Sequence, residues 1–235
     1  MSMTKRLGRG LADIIGEPEA VQGQLVMLGV EQLKPGKTQP RWTFSEEALI
    51  LRFNADLAND LGNLLNRTLT MCEKYFDGCI PNFPESGTNT PIAEEARKLK
   101  SESGLIYKRV GSALHSLAFS EALREIWKVI NHANKFIENS APWVLYKENR
   151  QSELRLVIIA LAEALRCIAK VLWPFIPEKA FLLWRQLGIH EPIDKPLSQR
   201  ELEGAHEGEW MFPMLEVKVQ KGRPLFPRIE SGLNS

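Results

Sequence analysis

From Phe44 onward the spacing of apolar residues repeats at helical intervals, and the chain is read as a succession of amphipathic helices. In "TFSEEALILRFNADLANDLGNLLNRTLTMCEKYF" (43–76), Leu49, Phe53, Leu57, Leu61, Leu64, Leu65, Leu69 and Met71 mark one apolar face. Thr43-x-x-Glu46 has the spacing of a capping box at its start. Gly78, Pro81, Pro84 and Gly87 make the loop that follows. Further helices are predicted over about 92–116 and 119–138, with a Pro-containing turn, "ENSAPW" (138–143), after them. A long apolar helix is predicted over about 151–173, ended by Pro174 and Pro177, and a fifth over about 177–187. Beyond Gly188 the chain reads as loop, with a short final element near 214–220 and the tail "GRPLFPRIE" (222–230).

Residues 1–42 have a different texture. Leu7, Leu11, Ile14 and Ile15 share one face of a short helix that Gly16 and Pro18 stop. "LVMLGV" (25–30) fits a short strand, and "KPGKTQPR" (34–41) is a Pro/Gly-rich connector. The expected organisation is an N-terminal extension, 1–42, and an all-α bundle of roughly five helices, 43–235.

Composition changes this picture little. Apolar residues at 44% and charged residues at 25% of a 235-residue chain suit an ordinary globular protein with a sizeable core. A net charge of +1 points to no partner, so contact with nucleic acid would depend on a local patch or on stacking. "LRLVIIALAEALRCIAKVLW" (154–173) carries Arg155, Glu163, Arg166 and Lys170, which argues for a core helix over a membrane span. Cys72, Cys79 and Cys167 are an odd number without C-x-x-C spacing, and no secretory signal is apparent. A reduced, cytoplasmic protein without disulfide or zinc is expected.

Catalytic patterns are missing. His115, His132, His190 and His206 have no metal-ligand spacing, and no phosphate-binding glycine loop or nucleophile elbow occurs. No catalytic residue, metal or cofactor is therefore assigned. Two places could bind. Asn63 and Arg67 are four apart on one helix face, where a guanidinium fork and an amide can read the hydrogen-bonding edge of a base. Such a pair is, in most helices, simply solvated. Trp143, after Pro142 at a turn, suits either a core anchor or an exposed platform for an unstacked base.

At these two stretches the sequence resembles the C-terminal anticodon-binding domain of methionyl-tRNA synthetases. The likeness runs over about 43–230 and includes "FSEEALILRFNADLANDLGNLLNRTLTMCEKYFDGCIP", "ENSAPWVLYKE", "LRCIAKVLWPFIPEKA" and "PLFPRIE", in order. The resemblance implies a helical bundle that recognises the CAU anticodon of methionine tRNA. Its anticodon readers fall on Asn63, Arg67 and Trp143, each of the expected residue type. Arg52 and Lys74 would hold phosphates nearby. The nucleotide-fold domain that binds ATP and methionine in that family has no counterpart here. The chain is thus expected to bind tRNA without aminoacylating it, alone or as a subunit beside a separate catalytic chain.

"MTKRLG" (3–8) overlays the M-S-K-S-L-G lysine loop with which class I synthetases hold ATP. The fuller likeness of residues 1–42 is to the N-terminal region of the chromosome-partition protein ParB. That family has an L-G-R-G-L helix, here Leu7–Leu11, followed by a strand and a Q-P-R segment, here Gln39–Arg41. This implies contact with a ParA-like ATPase through Lys5, Arg6 and Arg9. The DNA-binding part of the partition protein has no counterpart, so no DNA contact is expected.

Overall fold

The computed structural model describes residues 45–84, 89–196 and 217–230. The described residues all belong to one compact unit, Phe44–Ser235. The short helix, strand and connector expected in 1–42, the cations Lys5, Arg6 and Arg9, and His206 lie outside the described residues.

Ser45 caps the first helix, its hydroxyl accepting from the Ala48 amide at 3.1 Å, with Glu46 and Glu47 in the first turn where the helix dipole favours them. The cap is thus two residues beyond the expected Thr43. Helix α1 (Glu46–Arg52) leads into a π-helix (Phe53–Gly62) and then into α2 (Asn63–Tyr75). The single α-helix expected over this stretch is therefore interrupted. The Asn63 amide still bonds the Ala58 carbonyl, five residues back. Long-range partners accompany the widened turns. Asn134 Nδ2 donates to the Asp60 carbonyl at 3.1 Å, and Asn54 exchanges two hydrogen bonds with the Ile229 backbone at 2.9 and 3.0 Å. Because π-turns break the 3.6-residue register, the apolar face of the sequence does not run straight. Leu61, Leu64, Leu65 and Leu69 are buried, while Leu49 is 51% exposed.

Helices α3 (Pro91–His115) and α4 (Phe119–Ser140) form an antiparallel hairpin across a short turn, both packing on α6 (Gln151–Leu172). Thr90 caps α3 and accepts from the Ala93 amide. A six-residue helix, α5 (Pro142–Lys147), occupies what the sequence suggested was only a turn. Helix α7 (Pro177–Gln186) follows the expected break and packs on α6. The bundle is all-α, with α6 at its centre. Leu154, Ile158, Leu161, Leu165 and Ile168 are fully buried along it.

Helix α6 also takes charge into the core. Arg166 donates to Glu163 at 3.1 and 2.8 Å, and both side chains are almost wholly buried. Cys72 and Cys167 are buried free thiols and Cys79 is half-buried; burial pushes the Cys72 thiol up to about 12. Two-residue strands β1 (Cys79–Ile80) and β2 (Val217–Lys218) pair antiparallel, joining the loop after α2 to the C-terminal segment. That segment then crosses the π-helix, where Phe226 meets Phe53 edge-on at 6.0 Å and Arg228 donates to Asn59. Among the described residues no helix is long and apolar enough to cross a membrane.

Candidate nucleic-acid interface

At about 100° per residue, Asn63, Arg67, Thr70 and Lys74 fall within a sector of about 60° on α2. The opposite side buries Leu64, Leu65, Thr68, Leu69 and Cys72. Asn63 is exposed and Arg67 half-buried, about 6 Å apart along the axis. Among the described residues neither has a side-chain hydrogen bond or ion pair. The polar stripe therefore leaves donors and acceptors unused, which costs nothing while water serves them.

Each flank of the stripe is closed differently. On the side of Glu73, Lys221 Nζ from the C-terminal segment bonds Thr70 Oγ1 and the Glu73 carboxylate, both at 3.0 Å. On the other, Tyr75 stacks against Tyr146 of α5, with centroids 4.5 Å apart and planes at 28°. Lys74 lies 5.5 Å from the Tyr75 ring centre. Burial, aided by the neighbouring Tyr146, raises the Tyr75 phenol above its ordinary range, so it stays neutral.

Helix α5 exists because the chain reverses at Ala141. This residue takes a left-handed conformation (φ 43°, ψ 63°), closing α4 with its amide on Ile137 O and opening α5 with its carbonyl to Val144 N. Such a geometry on a residue with a Cβ stores roughly 1–3 kcal/mol and persists only where its surroundings impose it. Pro142 and Leu145 then face inward as the anchors of α5. Trp143 and Tyr146 face outward, 45% and 44% exposed. Trp143 is thus presented to solvent and is not a core anchor.

The two remaining cations stand apart from each other. Lys74 is exposed on the stripe, whereas Arg52 lies on α1 and pairs with Asp56 at 2.7 Å. Arg52 borders a separate cleft of about 870 Å³, lined by Leu49, Phe53, Leu123, Trp127 and Phe175 together with Asp56 and Asp60. Burial, then the Asp56 charge, raises the Asp60 carboxyl. Of the histidines, His132 pairs with Glu102 at 2.6 Å and His190 contacts Arg185 at 2.9 Å. Among the described residues no three His, Cys, Asp or Glu side chains come together as a metal site. Sequence reasoning missed the Tyr75–Tyr146 stack; the one available signal was a second aromatic three residues after Trp143.

Residues 84–214 match the family described as the anticodon binding domain of methionyl tRNA ligase. The match includes Trp143, while Asn63 and Arg67 precede it. The methionine–tRNA ligase of Enterococcus faecalis is 39% identical over 188 residues, covering 80% of this chain and 26% of that protein. The methionine–tRNA ligase of Bacillus subtilis is 40% identical over 190 residues, with coverage of 80% and 26%. The free-state crystal structure of Mycobacterium tuberculosis methionyl-tRNA synthetase superposes with a TM-score of 0.67 at 30% identity, over 80% of this chain and 35% of that one. The chain thus spans about a quarter of the length of the curated relatives it matches. With a helical bundle that superposes on a synthetase and a family match over more than half its length, the chain belongs to the family of methionyl-tRNA ligase anticodon-binding domains.

Proposed function

We propose that the bundle binds the anticodon loop of methionine tRNA and distinguishes its CAU anticodon. The observation that carries this reading is the Asn63–Arg67 stripe, without side-chain partners among the described residues, on a helix whose last residue, Tyr75, stacks on α5, where Trp143 and Tyr146 are exposed. An anticodon presents unstacked bases in a loop, which proteins take on aromatic faces and read along their Watson–Crick edges. Trp143 takes one base by stacking. Arg67 offers a fork of donors to the acceptors of cytosine, and Asn63 can accept from its exocyclic amine. Uracil and the purines present a different order of donors and acceptors there, which leaves one of these groups unpaired. Lys74 meets phosphate and positions the loop without choosing its sequence. The chain contributes binding, and no chemical step is assigned to it.

The test is a fluorescence-anisotropy titration of the full chain with a labelled anticodon stem-loop carrying CAU. Stacking is worth roughly 1–3 kcal/mol per base, so Trp143→Ala weakens binding by roughly 5- to 150-fold. Arg67→Ala narrows the preference for CAU over a loop with a different first base. Equal affinity of the unaltered chain for both loops refutes the reading.

A further inference from the structure

We propose that Tyr146, braced by Tyr75, is a second stacking platform beside Trp143 and takes a neighbouring base of the same loop. The proposal rests on the tRNA reading above. Tyr146 is not needed to hold α5 down, because Pro142 and Leu145 already fill its inner face. One face of the Tyr146 ring is nonetheless fixed by Tyr75, half-buried at the end of α2 and packed against the core. A ring held in this way has lost little freedom still to be given up when a base is laid on it, which favours binding. It remains 44% exposed, three residues along α5 from Trp143 at 45%, with Val144 at 37% between them on the outer side. Trp143 and Tyr146 are separated by about 4.5 Å along α5, comparable with the roughly 3.4 Å between successive nucleotides of a stacked strand. Exposed Lys74 and Lys147 border the aromatics, the pairing of ring and cation that suits a base attached to its phosphate. A protein partner would also meet apolar surface here, but these cations and the unused polar stripe on α2 favour RNA.

The full chain is titrated with the CAU stem-loop as Tyr146→Phe, Tyr146→Leu and Tyr146→Ala, beside Trp143→Ala. The leucine keeps an apolar contact with Tyr75 but removes the flat face, so it separates stacking from support of the fold. Leucine and alanine are expected to weaken binding roughly tenfold, and phenylalanine to restore it. Stem-loops made abasic at each anticodon position in turn locate the partner. At one position the abasic loop binds weakly to the unaltered chain, and Tyr146→Ala then adds no further loss. Affinity unchanged in Tyr146→Leu overturns the proposal. So does a Tyr146→Ala loss that is the same for every abasic loop. In both cases the CAU preference and the Trp143→Ala loss survive, whereas failure of the tRNA reading itself removes the CAU preference from the unaltered chain.

Discussion

Gly188, just past the end of α7, has no room for even a single methyl group. Its φ of +79° lies in the left-handed region, and a Cβ there would sit 2.2 Å from the Lys218 carbonyl oxygen and 2.8 Å from Val217 Cγ1. An alanine therefore meets two independent penalties. The left-handed backbone costs roughly 1–2 kcal/mol. Displacing β2, whose backbone cannot rotate away as a side chain could, costs roughly 1–3 kcal/mol more. The sum is about 2–5 kcal/mol. Two other glycines separate these terms. Gly78 has φ +77° but nothing within 4 Å of its Cβ position, so Gly78→Ala loses only the roughly 1–2 kcal/mol of backbone strain. Gly111, on the exposed side of α3, has neither constraint, and Gly111→Ala gains about 1 kcal/mol from helix propensity. Urea unfolding followed by far-UV circular dichroism should order the proteins Gly111→Ala, unaltered, Gly78→Ala, Gly188→Ala from most to least stable. Near the melting temperature each kcal/mol corresponds to roughly 2–4 °C in a domain of this size. If Gly188→Ala is no less stable than Gly78→Ala, the close seat of β2 on the end of α7 is wrong.

The buried Glu163–Arg166 pair gives a second test: Arg166→Met alone should cost roughly 3–5 kcal/mol by leaving the buried Glu163 carboxylate without its cation, while adding Glu163→Leu to it recovers much of that loss. Simple additivity of the two single losses in a double-mutant cycle would show that the charges do not depend on each other. Glu153 makes stability depend on acid. Hydrogen bonds from Arg150 at 2.5 and 2.9 Å hold its carboxyl below the ordinary 4.5, against burial, with Thr90 assisting. A carboxyl depressed on folding contributes fully above the unfolded value and loses that contribution as pH falls through the folded one. The unaltered chain should therefore lose stability below about pH 4.5 more steeply than Glu153→Gln. Parallel pH profiles by chemical denaturation would remove Glu153 from the account.

The helices were legible in the sequence because each is a local matter. Periodic apolar spacing, the prolines at 174 and 177 and the glycine at 188 place α3, α4, α6 and α7 within a few residues of their observed ends. The same reasoning puts Asn63 and Arg67 on one face of α2, since residues four apart share a face in any α-helix. It could not anticipate the π-helix. The partners that accompany those turns, Asn134, Phe226 and the Ile229 backbone, lie far along the chain, and no periodicity connects them. The two-residue strands have too few residues to show any alternation. Periodicity misjudged Leu49, which faces outward, and left open where Glu163 and Arg166, read as charges unsuited to a membrane, would sit: they lie together in the core. A charge can be buried when its counterion is buried with it, which depends on both rotamers and on everything around them.

The sequence by itself determined the helical bundle and the stripe of Asn63 and Arg67, because backbone geometry turns spacing directly into a face. Only the tertiary structure decided that Trp143 points outward and that Tyr146 lies against Tyr75. Whether a tryptophan after a proline is buried or presented depends on which neighbours fill the inner face of its helix. Here Pro142 and Leu145 fill that face, while a left-handed Ala141 sets the direction of α5.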